Sequence, residues 1–509
     1  MWLLSLLVFF FLLLLFIFLL KPIGQAKDLP PGPPCLPVIG NLHQLDCSAV
    51  HRSLWKLSKT YGPLMSLKIG SIPFQVVSSA RMAREIIKNH DPEFSARPQP
   101  RVMQKLSYNG LDVAFTSYPD KYWREMRRLY VLHVFSPKRV QSSQSIREDE
   151  VSKMIMDISR YASSSKAINL SKSFLSLTST IISRIAFRKD YTSRKFTNAD
   201  FYWLLHEALA LLASLSFEDY FPVVGGMIDH FTGLPSRIQR VFGELDSFYE
   251  TIIKEHLTRD RAGSEEQDII DFLLQLRQDN KSSSLDITTD RIKAIIMNIF
   301  IGGTDTNAAT LEWAMTALRN HPGVMTRLQE ETRALFGHKD FISEDDLPSL
   351  PYLTAVVKET LRLYPPVPLL LPRQTASHCT IDCYNIKPKS RVLFNAFAIG
   401  MDPEYWGSDP EAFFPERFMD SSVDFKGQDF GLIPFGSGRR GCPGVLLASH
   451  VVELALANLA NSFDWELPQG MEGEAVDTEA APGTTTHRKT DLCLLPKMKA
   501  HYSIEQEPS

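Results

Sequence analysis

Excess charge of either sign is missing from this sequence. Its 509 residues set 55 Lys and Arg against 58 Asp and Glu, for a formal charge of −3, and contain no long basic run. That excludes a nucleic-acid binder, whose affinity would come mainly from cations facing phosphates. Cysteine is scarce as well. The six residues Cys35, Cys47, Cys379, Cys383, Cys442 and Cys493 show no paired framework and need form no disulfide, which suits a reducing compartment. Cys379 and Cys383 have the spacing of half a metal site, but no second pair or neighbouring histidine completes it, so they read as strand or turn cysteines. Also lacking are an internal repeat and a Gly-x-Gly-x-x-Gly fingerprint after a strand, so the chain carries no dinucleotide or flavin domain of its own. With 44% apolar and 22% charged residues, disorder, collagen and small disulfide scaffolds are excluded, and the length suffices for an enzyme-sized core.

What is present is unevenly placed. Residues 2–20 read WLLSLLVFFFLLLLFIFLL, with Ser5 the sole polar side chain and no charge. At about 1.5 Å per residue this run forms a helix about as long as a bilayer's hydrocarbon core is thick. A cleaved leader is the competing reading, with Gly24-Gln25-Ala26 as a passable site. The charged n-region is missing and the run exceeds a usual h-region, so a retained single transmembrane anchor over residues 1–20 is preferred. Lys21 and Lys27 follow the run, which by the positive-inside tendency leaves the remainder in the cytosol. Prolines at 30, 31, 33 and 34 fix backbone angles and remove donors. Residues 21–40 therefore read as a stiff hinge, and residues 41–509 as one large body.

Within the body, apolar residues recur on one helical face over 120–135, 145–160, 200–215, 238–258, 288–318, 323–336, 351–363 and 444–461. Short alternating stretches at Leu64–Ile69, Phe74–Val77 and Arg391–Asn395 predict strands. The charged, Ser- and Gly-rich segment 259–286 predicts a surface connection. The fold class is mainly α with a minor β-sheet region, preceded by one transmembrane helix.

Three constellations carry chemistry. Pro434–Gly444 reads PFGSGRRGCPG; its glycines let backbone approach something flat and bulky, and Cys442 falls just before a predicted helix, where the dipole and free N–H groups favour a thiolate. A Gly-rich turn around a buried cysteine is the bland alternative, and a phosphate loop would need a Gly-Lys-Ser/Thr ending. Gly302-Gly303-Thr304-Asp305-Thr306 lies inside the 288–318 helix. Each glycine there costs about 1 kcal/mol against alanine, which either a bent helix with room above a cofactor or close helix packing would explain. Thr306 can hold a hydroxyl where the helix ladder opens, with Asp305 as a solvent-linked proton source. Glu359 and Arg362 share a helical face and, taken alone, make an ordinary solvated pair.

Together these stretches resemble the cytochrome P450 family, whose cysteine loop Phe-x-x-Gly-x-Arg-x-Cys-x-Gly is matched from Phe435 to Gly444 without departure. The resemblance implies that Cys442 is the axial ligand of iron in haem b (iron protoporphyrin IX), pushing electron density onto the metal. It implies further that Arg440 pairs with a propionate and that Phe435 shields the sulfur, with Gly436 and Gly444 in the same loop. Asp305 and Thr306 would deliver protons during oxygen activation. Glu359 and Arg362 would be buried and joined by Arg417 of Pro415-Glu416-Arg417-Phe418, supporting the haem face. Trp123 and Arg127, from a Trp-x-x-x-Arg match, and Arg373 would reach the propionates.

The family's recognition segments fall on Tyr108 to Phe115, Leu204 to Phe217, Asn298 to Gly302, Val367 to Leu371 (including Leu369) and Thr484 to Thr486 (Thr484 and Thr485 foremost). Being mostly apolar with scattered hydroxyl and amide groups, they suit an apolar molecule with one or two polar handles. LPPGPPCLPVIGNL at 29–42 and LSYNGL at 106–111 look like plant microsomal members of the clan devoted to specialised metabolism. Gln374, Phe397 and Met401 depart from that clan, which usually has an acidic residue, Trp and Arg there; none lies on an iron-chemistry motif.

The activity so implied is hydroxylation of a terpenoid, alkaloid, phenolic or aldoxime by O2. NADPH electrons would come through a membrane-bound flavoprotein reductase, docking near Arg124, Arg128 and Arg439. The expected location is the endoplasmic reticulum membrane, single-pass, with the catalytic body facing the cytosol. Two other classes are weighed: a haem-thiolate enzyme that rearranges or dehydrates a peroxide or oxime without external electrons, and a non-catalytic membrane-anchored haem sensor. The intact Asp305-Thr306 pair counts against both.

Overall fold

The computed structural model describes residues 28–117, 121–189, 195–196, 199–258, 267–279, 286–468 and 475–499. The expected anchor at 1–20 lies outside the described residues, as do 259–266 and 280–285 of the expected surface connection at 259–286. The remainder of that stretch is not a plain surface connection but holds the helix Ile269–Gln278, whose Ile269, Ile270, Leu273 and Leu274 are buried on one apolar face. The principal helices are α1 (Val50–Tyr61), α2 (Ala80–Asn89), α3 (Lys121–Leu129), α4 (Gln144–Ser163), α5 (Leu170–Phe187), α6 (Phe201–Ala213), α7 (Leu234–Thr258), α8 (Ile269–Gln278), α9 (Thr289–Asn320), α10 (Pro322–Phe336), α11 (Pro351–Leu363) and α12 (Val445–Ser462). Besides a short pair at Lys195–Phe196 and Ala199–Asp200, the strands are β1 (Leu64–Ile69), β2 (Ile72–Val77), β3 (Ile168–Asn169), β4 (Arg373–Gln374), β5 (Cys379–Ile381), β6 (Tyr384–Ile386), β7 (Arg391–Phe394), β8 (Phe463–Glu466) and β9 (Cys493–Met498).

One four-stranded sheet has the order β1-β2-β7-β4. Its first two strands form an antiparallel hairpin, whereas β2 runs parallel to β7 with Phe74 opposite Arg391. Parallel neighbours need a crossover, and here the crossover contains most of the helical body. A second sheet, β8-β9-β3, pairs Phe463 with Met498 and Cys493 with Asn169. Cys379 and Cys383 belong to the β5–β6 hairpin as free thiols, one buried and one exposed. That is the strand-and-turn placement their isolated spacing suggested.

The axis of the body is α9. Thr288 caps it by accepting from the Arg291 N–H at 3.3 Å, and Pro322 at the start of α10 separates the two helices. Its buried side chains run almost all round, from Ile292 to Leu318, as a central helix requires. Among the described residues only α12 has the length and hydropathy of a membrane span, and 67% of it is buried, so it serves as a core helix.

Two further expectations are modified. The helix expected over 120–135 is α-helical only to Leu129 and continues as a π turn, Tyr130–Val134, which absorbs an extra residue per turn without breaking the apolar face. The described part of the expected hinge is fastened to the body. The Pro31 carbonyl accepts from Ser66 N–H at 2.9 Å, and the buried Asn41 amide donates to the Pro33 and Pro34 carbonyls, each at 3.2 Å. Prolines lose their donors but keep their acceptors, so this stretch becomes a rail on β1. Phe397, one of the three clan departures, is buried edge-on to His51 and Trp55.

Candidate functional site

The cysteine loop enters α12 after a 3-10 turn, Gly438–Arg440. It is closed by the Cys442 N–H, which donates to the Phe435 carbonyl at 2.8 Å. Gly438 is required twice over. Its φ is +67°, and a Cβ would lie 2.7 Å from Ile87 Cγ2 and 2.9 Å from Asp91 Oδ2. Gly436 shares the left-handed conformation, and the half-buried Phe435 ring lies 5.5 Å from Phe425. Residue Cys442 is exposed by surface area although its thiol sits deep in the protein; it therefore opens onto internal space. Burial pushes the thiol up, while the Gly444 N–H, 3.3 Å from Sγ, and the Arg127 guanidinium oppose that. The helix-end reading captured the Gly444 N–H but neither Arg127 nor the larger effect of burial. A bound cation would complete the shift to thiolate.

Four guanidinium groups gather beside this loop. Arg440 donates to the carbonyls of Ser95 at 2.7 Å, Val113 at 3.2 Å and Thr116 at 2.8 Å, and lies 4.6 Å from the Trp123 ring centre. Trp123 donates to the same Val113 carbonyl at 3.0 Å. Arg373 bridges Asp91 Oδ1 and the Ser437 carbonyl, both at 2.7 Å, so its terminal nitrogens brace the loop. Arg97 donates to the carbonyls of Ala114 at 3.0 Å, Leu371 at 2.5 Å and Pro372 at 2.8 Å. Burial holds Arg97, Arg127, Arg373 and Arg440 below the usual arginine range, Arg440 at about 10, and Arg97 and Arg440 are lowered further by neighbouring guanidiniums. Asp112, nearby, is pushed up to about 6 by burial. Such a cation excess fits a dianionic group such as the two propionates of a haem. Arg97 is the member that sequence reasoning missed, because a lone arginine between Ala96 and Pro98 carries no spacing signal.

The α9 motif resolves the question of its two glycines. A Cβ on Gly303 would lie 2.5 Å from Ile182 Cδ1, so this glycine serves close packing against α5. Gly302 is exposed in mid-helix and a Cβ there would meet nothing within 4 Å, so this one supplies room. Close packing thus accounts for Gly303 and open space for Gly302, within a helix that runs unbroken from Thr289 to Asn320. Thr306 Oγ1 donates to the Gly302 carbonyl at 2.8 Å. Asp305 is buried and its Oδ1 lies 2.9 Å from His487 Nε2, a partner the sequence did not suggest.

Behind the cysteine side, Glu359 and Arg362 form a two-bond pair at 2.7 Å with both side chains fully buried. Arg417 Nε joins Glu359 at 3.1 Å. The remaining Arg362 donors reach the carbonyls of Gly400, Pro410 and Ala412, so the pair ties α11 to the segment leading into the cysteine loop.

The expected substrate residues divide by what their polar atoms do. Tyr108 is tied outward, its hydroxyl donating to Asp246 at 2.8 Å. The Asn298 amide donates to Asp112 at 2.8 Å and its oxygen accepts from the Val113 N–H at 3.3 Å, so it fastens the 108–115 loop to α9. Phe115 is buried, and Leu369 packs on the sheet-side cluster containing Leu54 and Phe74. Thr484 and Thr485 are half-buried beside Thr486, whose backbone bonds to Pro366 and Trp313. Arg124 and Arg128 are exposed, while Arg439 is half-exposed and 3.9 Å from Asp91.

The Cytochrome P450 family model matches residues 30–494. "Cytochrome P450 71B10" of Arabidopsis thaliana is 46% identical, covering 92% of this chain and 93% of its own length. "6,7,8-trihydroxycoumarin synthase" of Pastinaca sativa is 45% identical over 96% of this chain and 98% of its own. "Strychnine-11-hydroxylase" of Strychnos nux-vomica is 45% identical over 92% of each. A zebra fish cytochrome P450 solved with abiraterone superposes with a TM-score of 0.72 at 24% identity, covering 88% of this chain and all of that one, and bears on the fold alone.

Proposed function

The chain belongs to the cytochrome P450 family, with its relatives in plant specialised metabolism, and on that premise we propose that it hydroxylates an apolar plant metabolite with O2 and NADPH-derived electrons. A thiolate-ligated haem, when bound, supplies the reductive activation of dioxygen. The protein's part is to hold that group and to manage protons and water. Cys442 would hold the group through its sulfur. Arg440, Arg127, Arg97 and Arg373 would provide the cationic side for its carboxylates, with the Trp123 N–H holding the Val113 carbonyl beside Arg440. Glu359, Arg362 and Arg417 keep the cysteine side rigid. Asp305 and Thr306 pass protons along α9, and the open space at Gly302 admits the substrate.

The observation that carries this reading is the conjunction of an internally exposed Cys442 thiol with the arginine cluster beside it. The names of the hydroxylase and the synthase among the relatives support specialised metabolites as the substrate class, and the apolar recognition segments support a molecule with few polar groups. The run at 2–20 supports a single-pass anchor over residues 1–20 in the endoplasmic reticulum membrane, with 21–40 leading into a cytosolic body. The exposed Arg124 and Arg128 suit an acidic flavoprotein reductase.

The test is purified protein with reductase, NADPH and a panel of terpenoids, alkaloids, phenolics and aldoximes, reading product mass. A gain of one oxygen only when NADPH is present is expected. Turnover without NADPH would favour the rearranging or dehydrating class, and no turnover across the panel would favour a sensor.

A further inference from the structure

Asp305 does not face bulk water directly. Its side chain is 8% exposed, and Glu312, two turns on along α9, is 4% exposed. Between them stands His487, at 32% the most open of the three. Its Nε2 lies 2.9 Å from Asp305 Oδ1 and its Nδ1 lies 3.3 Å from Glu312 Oε2. Both ring nitrogens therefore face carboxylate oxygens, an arrangement that suits the doubly protonated ring, since only that form donates at both.

The ring is also held in place. The His487 carbonyl accepts from Ala481 N–H at 2.8 Å, the Arg488 N–H donates to Glu312 at 3.1 Å, and the preceding Thr486 is fixed by Pro366 and Trp313. Glu312 is in turn bound by the Ser171 hydroxyl, which accepts from Leu492 N–H at 2.8 Å. Each member of the chain is thereby oriented by another element of the fold.

We propose that His487 is the positioning residue for Asp305, orienting its carboxylate and relaying protons to it from solvent. This rests on the monooxygenase reading above. In the relay the His487 Nε2–H bond breaks and an Asp305 Oδ1–H bond forms. The ring is left neutral, with its remaining proton on Nδ1 toward Glu312. Rotation of the protonated Asp305 carries the proton toward Thr306 and uncovers Nε2, which water reaching the partly open His487 side chain then reprotonates. One proton enters from water for each passed on, and no electron moves.

Burial lowers the His487 pKa, but the bonds to Asp305 and Glu312 outweigh it and raise the group to about 10. Isotopic histidine labelling, read by NMR in the diamagnetic ferrous carbon monoxide complex, tests this without turnover. The resonance is assigned by its loss in His487→Gln and by its shift in Asp305→Asn. It is expected to stay protonated through pH 9 and to titrate well below that in Asp305→Asn, toward the ordinary imidazole value of about 6.5. In turnover with a panel member that the unaltered protein oxidises, His487→Gln is expected to lower product formed per NADPH about tenfold. That is less than the roughly 10²-fold lost with a proton-transferring group itself. The solvent isotope effect should rise, and His487→Lys, which keeps a cation on Asp305, should recover most of the loss. An ordinary titration of His487, or unchanged product per NADPH in His487→Gln, overturns the relay alone. Absence of any NADPH-dependent product from the unaltered protein overturns the monooxygenase reading beneath it.

Discussion

Replacing Glu359 by alanine removes the centre of the brace behind the cysteine loop. The carboxylate accepts from Arg362 Nε and Nη2, from Arg417 Nε at 3.1 Å and from the Phe414 N–H at 2.8 Å. Arg362 is fully buried and Arg417 is 14% exposed, so the substitution strands cationic charge away from water. Breaking a buried pair by removing one partner costs roughly 3–5 kcal/mol, and the orphaned Phe414 N–H adds about 1 kcal/mol. Three carbonyls still accept from Arg362 and blunt the loss. The expected net is about 3–4 kcal/mol, a large part of the roughly 5–15 kcal/mol that stabilises a typical protein. Urea unfolding followed by tryptophan fluorescence measures it, because Trp406 lies 5.2 Å from the Arg362 guanidinium. Asp157→Ala is the control: it breaks a pair with Arg160 whose side chains are 62% and 78% exposed, and should change stability by less than about 0.5 kcal/mol. The joint change Glu359→Leu with Arg362→Met should cost less than Glu359→Ala, since it leaves no unpaired charge. Equal shifts for Glu359→Ala and the control would refute the argument that burial sets the energy.

The two glycines of α9 should respond oppositely. Gly303→Ala drives a methyl into Ile182 and should lower stability by about 1–3 kcal/mol less the helix-propensity gain, whereas Gly302→Ala meets nothing and should be neutral to about 1 kcal/mol stabilising. Thermal midpoints compare them, and altered substrate-binding spectra are expected only for Gly302→Ala. Cys442→Ser should abolish the thiolate-type Soret shift of the reduced carbon monoxide complex, and its persistence would displace Cys442 as the ligand. His256 concerns pH. Burial lowers its pKa, but the bond to Asp268 at 2.9 Å and the charges around it win and raise it. Its contribution to stability is therefore full below the unfolded value of about 6.5 and is lost as pH rises through the folded one. Unfolding midpoints taken between pH 6 and pH 10 should fall with pH, and Asp268→Asn should flatten that slope.

Much of this was legible because it is local. The period that predicted 288–318 gives α9 at Thr289–Asn320, and the alternation at Leu64–Ile69 gives β1 with the same bounds. The cysteine loop was readable from its glycines, one of which, Gly438, has no steric alternative. Residues that act only through tertiary contact left no such mark. Arg97 and His487 each stand alone in sequence, and each reaches a far partner, Leu371 at 274 positions and Asp305 at 182. The π turn after Leu129 was hidden for the converse reason: it preserves the apolar face that periodicity reads.

Asp91 shows how the electrostatic balance of the site depends on contacts that a motif does not contain. It is the carboxylate wedged under the cysteine loop. One oxygen accepts from Arg373 at 2.7 Å, the other from the Arg439 N–H at 2.9 Å, and that second oxygen lies where a side chain on Gly438 would have to go. Its charge is thus committed to fixing the loop that carries Cys442, and it offsets Arg373 in particular. Asp112, the nearest other carboxyl, is raised by burial and bound by Asn298 and the Phe115 N–H, so its task is to hold the 108–115 segment to α9. Arg97 and Arg440 spend their donors on backbone carbonyls and a ring rather than on a direct carboxylate pair, with Asp112 acting on them only through its charge, and Arg127 faces the Cys442 sulfur. Carbonyl dipoles orient guanidinium groups without neutralising them. The fold therefore uses its local carboxylates for geometry and keeps a positive potential beside the cysteine, and a dianionic ligand gains most from that division because it meets cations already desolvated and aimed.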